Sequence, residues 1–333
     1  MEGSVHMSKR KKNKQKKFPL WGKILFALLI ILAMGVGVTL GTVYKTLSKL
    51  DNIDIKDEDL GIVSEEELQQ YDNYEKITNI ALFGIDSEDG VGRSDSIMIA
   101  TIDPVHDKLK ISSIMRDSYV NIDGHGYDKI NHAYAFGSAP LSIKTINETF
   151  GLNIQDFVAV DFASLPVIID MLGGIELNIT DEELIEINNI IPHLNQVDNA
   201  SSPLLTHTGL QKLDGIQAVA YTRIRHATGG DYVRTERQRT VLSSLFNTAL
   251  TLSPSQYLGL INDVLPLVKT SLGTNDILSL ATKVATMGGG TLEQERFPRD
   301  GYCQSEMINE VYYLTFDENS TKQQMMDYIF DDK

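Results

Sequence analysis

The chain has 333 residues, enough for a substantial buried core, and 42% hydrophobic with 23% charged residues is ordinary for a globular protein, which excludes general disorder. One cysteine, Cys303, excludes an intramolecular disulfide and any multi-cysteine zinc or iron–sulfur site. The formal net charge of -15 conceals an asymmetry: residues 1–50 carry 10 of the 30 Lys and Arg but one of the 45 Asp and Glu, which leaves 20 basic against 44 acidic residues beyond Leu50. So acidic a body is a poor match for neutralising a phosphate backbone, and nucleic-acid binding falls away as a leading function.

The opening MEGSVH before Met7 resembles a tag remnant rather than native sequence. Seven of the nine residues from Lys9 to Lys17 are Lys or Arg, and an uncharged run of 21 residues occupies 24–44. As a helix rising ~1.5 Å per residue, that run spans about 31 Å, the thickness of a ~30 Å hydrocarbon core. A basic block ahead of the apolar run stays in the cytoplasm. We therefore expect a single-pass, type II membrane protein: a cytoplasmic tail over 1–23, a retained signal anchor over 24–44, and everything beyond Tyr44 on the extracellular face. A cleaved signal peptide is the rival; it is disfavoured by the length of the run and by the lack of an A-x-A site after it. Residues 45–75 are acidic and poor in long apolar stretches, which predicts a solvated stalk.

A globular pattern starts near Lys76. Short β-branched and apolar segments at 78–83, 96–102 and 108–115, separated by turn residues such as Asp103-Pro104, predict strands. Helical spacing follows at 140–150, then a strand at 157–162 and a helix at 164–172 stopped by Gly173-Gly174. A strand at 175–179 leads to Thr180 and Glu183, the signature of a capping box opening a helix. Asp214 is placed to cap a helix running to about Thr222. Further helices are expected at about 232–252, 255–268 and 275–286, with a strand near 292–297. This alternation predicts an α/β fold, a layered α-β-α sandwich with a central mixed sheet, as one extracellular domain over 76–333 preceded by one transmembrane helix.

The standard serine-hydrolase and nucleotide-fold signatures are absent: no G-x-S-x-G, Walker A or G-x-G-x-x-G occurs, and the seven histidines show no H-E-x-x-H spacing. Two other features carry chemistry. Asp86 follows the strand ending at Phe83-Gly84, and Asp95 sits in GRSDS (92–96) just ahead of the next strand. On neighbouring strands the two carboxylates meet at one sheet edge, where oxygen donors that leave room for water and phosphate suit Mg²⁺ or Mn²⁺; the competing reading is that both merely satisfy turn backbones, where Asp is common. Arginine is the second feature. Of nine Arg beyond Leu50, five fall within 223–239: Arg223, Arg225, Arg234, Arg237 and Arg239. Arg116 ends the 108–115 strand, and Arg93 lies beside Asp95. Guanidinium concentrated in so acidic a body suggests an anion site, since its planar fork suits phosphate. Asp231, Arg234 and Gln238, at i, i+3 and i+7, share one helix face. A solvated, salt-bridged helix surface explains Arg237 and Arg239; it explains Arg116 and Arg223 poorly, because these end hydrophobic stretches where an unpaired charge is costly.

The series FGID (83–86), GRSDS (92–96), SSIMRDSYV (112–120), KINHAYAFG (129–137), LGGIELNI (172–179), LDGIQAVAYTRIRH (213–226) and DYVRTERQR (231–239) resembles the LytR–CpsA–Psr family, in order and over roughly 76–245. The resemblance implies a phosphotransferase of Gram-positive cell envelopes. Such a protein moves an anionic glycopolymer (teichoic acid, capsule or a similar polysaccharide) from a polyprenyl-pyrophosphate carrier to peptidoglycan through a phosphodiester bond. It implies that Asp86 and Asp95 hold the divalent metal, Mg²⁺ or Mn²⁺, that Arg116, Arg223, Arg225 and Arg234 hold the pyrophosphate, and that Gln238 adds a neutral donor. Arg93 and Asp231 match further positions of the pocket. The resemblance counts Arg93 and Arg116 with Asp95 and Asp231 as catalytic; either carboxylate, Asp95 or Asp231, suits the base for the acceptor hydroxyl, and the sequence does not choose between them. The family pattern often has Arg close after the first Asp, where this chain reads Ser87-Glu88-Asp89. Two rival functions stay open at this point: a non-catalytic envelope regulator or scaffold that binds lipid-linked precursors, and a pyrophosphatase that hydrolyses the carrier link.

Overall fold

The computed structural model describes residues 52–55, 58–86, 92–161, 164–224, 263–287 and 291–333, together with 237, 238, 240, 241, 244, 245 and 248. The expected membrane span at 24–44 lies outside these residues, and no helix among the described residues is long and apolar enough to cross a membrane.

Three strands, β1 (Thr78–Asp86), β2 (Arg93–Asp103) and β3 (Lys108–Ile114), form an antiparallel meander. Its second turn is closed by Asp103, whose carboxylate accepts the backbone N–H groups of Val105 and His106, both at 3.0 Å. A small hairpin, β4 (Tyr119–Ile122) and β5 (Gly126–Lys129), leads into α1 (His132–Phe150), which breaks its helical geometry at Gly137 and Ser138. Then come β6 (Asp156–Asp161), α2 (Leu165–Met171), β7 (Ile175–Ile179), α3 (Asp181–Val197), β8 (Gly209–Leu213) and α4 (Gly215–Thr222). The chain closes with β9 (Val268–Thr270), α5 (Thr274–Thr286), β10 (Thr291–Phe297), the hairpin β11 (Cys303–Ile308) with β12 (Val311–Phe316), and α6 (Glu318–Phe330).

The main sheet has the order β10-β3-β2-β1-β6-β9. It is mixed, as expected: β1 with β6 and β3 with β10 are parallel, the other neighbours antiparallel. Alternation along the strands sends side chains to two faces, and two clusters result. Phe83, Ile97, Ile99, Ile114, Phe157 and Ala159 face a core roofed by α1 and α6. Val160, of opposite parity to Phe157 and Ala159, packs against a second cluster built by α2, α3, α4 and the β7–β8 hairpin. Both expected caps form: Thr180 and Glu183 make the capping box of α3, and Asp214 with Gln217 makes that of α4. Gly215 is required at the start of α4, where a Cβ would meet the Pro166 carbonyl oxygen of α2 at 2.1 Å.

Three expectations are corrected. The described part of 45–75 is not a solvated stalk. Ile55, Leu60, Leu68 and Tyr71 are buried in the first core, Ile53 N–H donates to the Thr270 carbonyl at 2.8 Å, and Tyr71 Oη donates to Asp327 at 3.1 Å on α6. Widely spaced apolar residues, rather than a long apolar run, were enough to dock it. The β1 and β2 strands also run further than expected, so that Asp86 and Asp95 lie in strands and not in loops. Finally, the helix expected over 255–268 does not reach its end: Leu265–Leu267 form a 3₁₀ turn and Val268 opens β9; 255–262 lie outside the described residues.

Candidate active site at the β1–β2–β3 edge

The strand ladder itself explains how the site residues meet. Along β1 and β2 the pairing runs from Thr78↔Ile102 to Asp86↔Arg93, with a shift after Gly84: Gly84 faces Ser96 and Ile85 faces Ser94. Asp95 is therefore the extra residue of a β-bulge, a device that re-aims a side chain at the rim of a sheet. On the other side of β2, Ile97 faces Ile114 of β3. β3 ends at Ile114, and the chain then turns, Ser118 N–H donating to the Met115 carbonyl at 3.1 Å, so that Arg116 is presented from this turn beside the start of β2.

They touch. Arg116 Nη1 donates to Asp95 Oδ2 at 2.5 Å, and Asn131 Nδ2 donates to Asp95 Oδ1 at 3.0 Å. Side-chain exposures of 9% for Asp95 and 22% for Arg116 make this a partly desolvated, charge-assisted contact. Asn131 precedes α1, and its backbone N–H donates to the Arg116 carbonyl at 3.2 Å, so the start of that helix is tied to the end of β3. Arg116 Nε also lies 3.4 Å from Asp117 Oδ2, whose other oxygen holds Lys129 Nζ at 2.5 Å.

The same edge carries further charge. Asp86 ends β1 beside Arg93, which is exposed, and Asp161 ends β6 opposite Ile85. Asp161 and its neighbour Tyr134 were not among the expected residues. Burial, and then the negative charge of Asp161, push the Tyr134 phenol above its ordinary range, and its ring packs on Phe83 with centroids 5.5 Å apart. Tyr134 lies within the motif KINHAYAFG (129–137), which carries the resemblance without singling out this residue, and Asp161 lies in an otherwise ordinary strand pattern.

Of the expected residues, the structure brings together Asp86 with Arg93, and Asp95 with Arg116. Arg223 is half-buried at the C-terminal end of α4, where its backbone N–H bonds the Val219 and Ala220 carbonyls, both at 3.1 Å. Gln238 is helical and buried. Arg225, Asp231, Arg234 and Arg239 lie outside the described residues. Arg237 is a correction: it is no solvated surface charge. Its Nε donates to Glu183 Oε1 at 3.0 Å, its guanidinium stands 5.7 Å from the Tyr221 ring centroid, and both members of the ion pair are nearly enclosed. Glu183 needs this partner because its other oxygen already serves the capping box at Thr180.

Among the described residues, no three His, Cys, Asp or Glu gather into a metal-binding cluster. The donor types at this edge are nonetheless those a hard cation takes. Asp86 and Asp95 supply carboxylates, and the buried Asn131 Oδ1 beside Asp95 accepts no hydrogen bond among the described residues. Mg²⁺ is commonly held by one or two carboxylates, with water and substrate phosphate completing the shell.

The described residues thus form a three-layer α/β domain that carries the Asp95–Arg116 ion pair and the Asp86↔Arg93 strand pair at one sheet edge. A model of the LytR_cpsA_psr family matches residues 38–328, and the chain belongs to that family. It is 32% identical to the polyisoprenyl-teichoic acid–peptidoglycan teichoic acid transferase TagU of Oceanobacillus iheyensis, over 94% of this chain and 95% of the relative. It is 29% identical to the corresponding transferase TagT of Bacillus subtilis, over 73% of this chain and 75% of the relative. A solved structure of TagT bound to LIIa-WTA matches with a TM-score of 0.61 and 25% identity, covering 84% of this chain and 94% of that one.

Proposed function

We propose that the chain is a membrane-anchored phosphotransferase that moves an anionic cell-wall glycopolymer from a polyprenyl-pyrophosphate carrier to peptidoglycan. The observation that carries this is the Asp95–Arg116 pair at the rim of the sheet, with Asp86 and Arg93 beside it. The names of the relatives, teichoic acid transferases acting between a polyisoprenyl carrier and peptidoglycan, support the substrate class. The basic block at 9–17 and the uncharged run at 24–44 support an anchor that leaves residues beyond Tyr44 outside, where peptidoglycan lies.

In this mechanism a sugar hydroxyl of the acceptor attacks the glycan-linked phosphorus. The new P–O bond forms as the bond to the departing polyprenyl phosphate breaks, and the hydroxyl proton passes to a carboxylate, Asp95 or Asp231. Phosphoryl transfer asks the protein mainly for positioning and charge stabilisation. Arg116 supplies a planar donor that is already oriented by Asp95, so little reorganisation is needed when the phosphate arrives. Arg223, Arg225 and Arg234 hold the pyrophosphate with it, and Gln238 adds a neutral donor. Mg²⁺ or Mn²⁺, held by Asp86 and Asp95, would supply Lewis-acid neutralisation of the leaving phosphate.

The test is to incubate the full chain with a lipid-linked glycan, Mg²⁺ and a peptidoglycan oligomer. A joined phosphodiester product is expected. Free glycan phosphate would instead mark a hydrolase, and unchanged substrates would mark a binding protein.

A further inference from the structure

The β4–β5 hairpin has two unlike faces. Val120 and Ile122 are fully buried in the first core, and the alternate positions Tyr119, Asn121, Tyr127 and Lys129 form the opposite face. On that face Tyr119 packs against Tyr127, with centroids 5.2 Å apart, and against Tyr313 of β12, at 4.7 Å. Lys129 Nζ stands 5.6 Å from the Tyr312 ring centroid and 5.8 Å from that of Tyr313. Tyr127 is 56% exposed. Tyr119, Tyr312 and Tyr313 are half-buried behind it, so the cluster presents a partly open aromatic surface with Tyr127 at its outer end, the kind of apolar patch that marks a recognition surface.

The cluster is continuous with the site. Tyr119 follows Arg116 by three residues, and Asp117 joins Arg116 to Lys129 through one oxygen each. Backbone ties fix the arrangement: Leu314 N–H donates to the Asp117 carbonyl at 2.9 Å, and Ile130 N–H donates to the Ser118 carbonyl at 2.9 Å. A ligand lying across Tyr127, Tyr119 and Tyr313 therefore leads towards Arg116.

We infer that this tyrosine face is the subsite for the neutral, β-1,4-linked aminosugar backbone of the acceptor glycan; the inference rests on the transfer function proposed above. A pyranose presents a face of C–H groups that matches the electron-rich face of an aromatic ring, while tyrosine hydroxyls and the Asn121 amide offer hydrogen bonds at its rim. Charge selects the acceptor over the donor polymer. Across 117–129 and 303–316 stand Asp117, Asp123, Asp128, Glu306 and Glu310 against one Lys or Arg, Lys129. Lys129 and Arg116 both pair with Asp117 and Lys144 pairs with Asp123, so the exposed Glu306 and Glu310, with Asp128, set the sign of this surface. Burial acts to raise the Asp128 carboxyl, but hydrogen bonds from His132 and the Lys129 N–H outweigh it and hold the group below the usual carboxylate range. An anionic polymer is repelled from such a surface, and an uncharged sugar chain is not.

The test titrates the full chain in detergent micelles with three probes: a β-1,4-linked N-acetylglucosamine tetrasaccharide, a soluble poly(ribitol phosphate) fragment, and octaprenyl pyrophosphate. The tetrasaccharide should bind the wild type, about tenfold more weakly to Tyr127→Ala, and nearly unchanged to Tyr127→Phe, which keeps the ring. Octaprenyl pyrophosphate affinity should be the same in all three. Tyr127 is exposed, so truncation leaves the core closed, and a matching thermal midpoint verifies this. Equal tetrasaccharide affinity in wild type and Tyr127→Ala overturns the inference, as does preferential binding of the poly(ribitol phosphate) fragment. Loss of octaprenyl pyrophosphate binding by the wild type would instead count against the transfer function and leave the sugar subsite standing.

Discussion

The bulge at Asp95 on β2 turns its carboxylate into the guanidinium of Arg116, which reaches it at 2.5 Å from the turn that follows β3. The arginine is therefore pre-aimed, but by an anion that competes with the substrate's phosphate. Asp95→Asn should strengthen metal-free binding of octaprenyl pyrophosphate about threefold to tenfold while abolishing Mg²⁺-dependent transfer. Titration of the lipid in EDTA and a transfer assay in Mg²⁺ check the two halves. Weaker metal-free binding by the variant would show that Asp95 assists the phosphate rather than competing with it.

Arg237 behaves as a structural charge. Truncating one partner of an enclosed ion pair leaves the other uncompensated, so Arg237→Ala should destabilise the chain by about 3–5 kcal/mol. Adding Glu183→Gln should restore most of that, because glutamine is neutral yet still able to complete the capping box with Thr180. Urea unfolding of the single and double variants reads both values. A loss below about 1 kcal/mol in the single variant would return Arg237 to the solvated surface.

Tyr71 fastens the segment before β1 to α6. Burial, and then its hydrogen bond to the Asp327 carboxylate, push the phenol from 10.0 up to about 12. The folded state thus holds the phenolic proton more tightly than the unfolded chain does. Its contribution is fully present below pH 10 and is lost as pH rises towards about 12. Tyr71→Phe should be less stable than wild type at neutral pH and should show a shallower decline over that alkaline window. Unfolding free energies measured on both proteins across the window test this, and parallel curves would contradict it.

Topology rests on the first 44 residues. Protease added to intact, wall-stripped cells should digest the domain beyond Tyr44 and spare the basic tail. A domain that stays protected until lysis would contradict an outward-facing anchor.

Much of the architecture was legible in the sequence because its signals were local. The capping residues Thr180, Glu183 and Asp214 located two helices, and β-branched runs located the strands that became β1, β2, β3, β6, β7 and β10. The β4–β5 and β11–β12 hairpins, β8, β9 and α6 escaped. β4 and β5 are four residues each and half polar, and α6 opens with polar residues and buries its apolar side chains, Met325, Met326, Ile329 and Phe330, near its end. At the site, residue types and strand ends pointed to Asp86, Asp95 and Arg116. Pairing partners did not show, because they depend on register. Asn131, Asp161 and the Arg237–Glu183 bond join segments far apart in the chain, and no spacing rule encodes such contacts.

The most direct test of the transfer mechanism is the rate of phosphodiester formation by Arg116→Ala and Arg116→Lys, with lipid-linked glycan, Mg²⁺ and peptidoglycan oligomer at fixed salt and folding verified by circular dichroism. Loss of a desolvated, charge-assisted phosphate contact should remove about 2–4 kcal/mol of transition-state stabilisation, so Arg116→Ala should be roughly thirtyfold to a thousandfold slower. Arg116→Lys should recover only part of that, since an ammonium lacks the bidentate fork. A folded Arg116→Ala protein that transfers within about threefold of the wild-type rate would contradict the assignment of the β1–β2–β3 edge as the site of phosphoryl transfer.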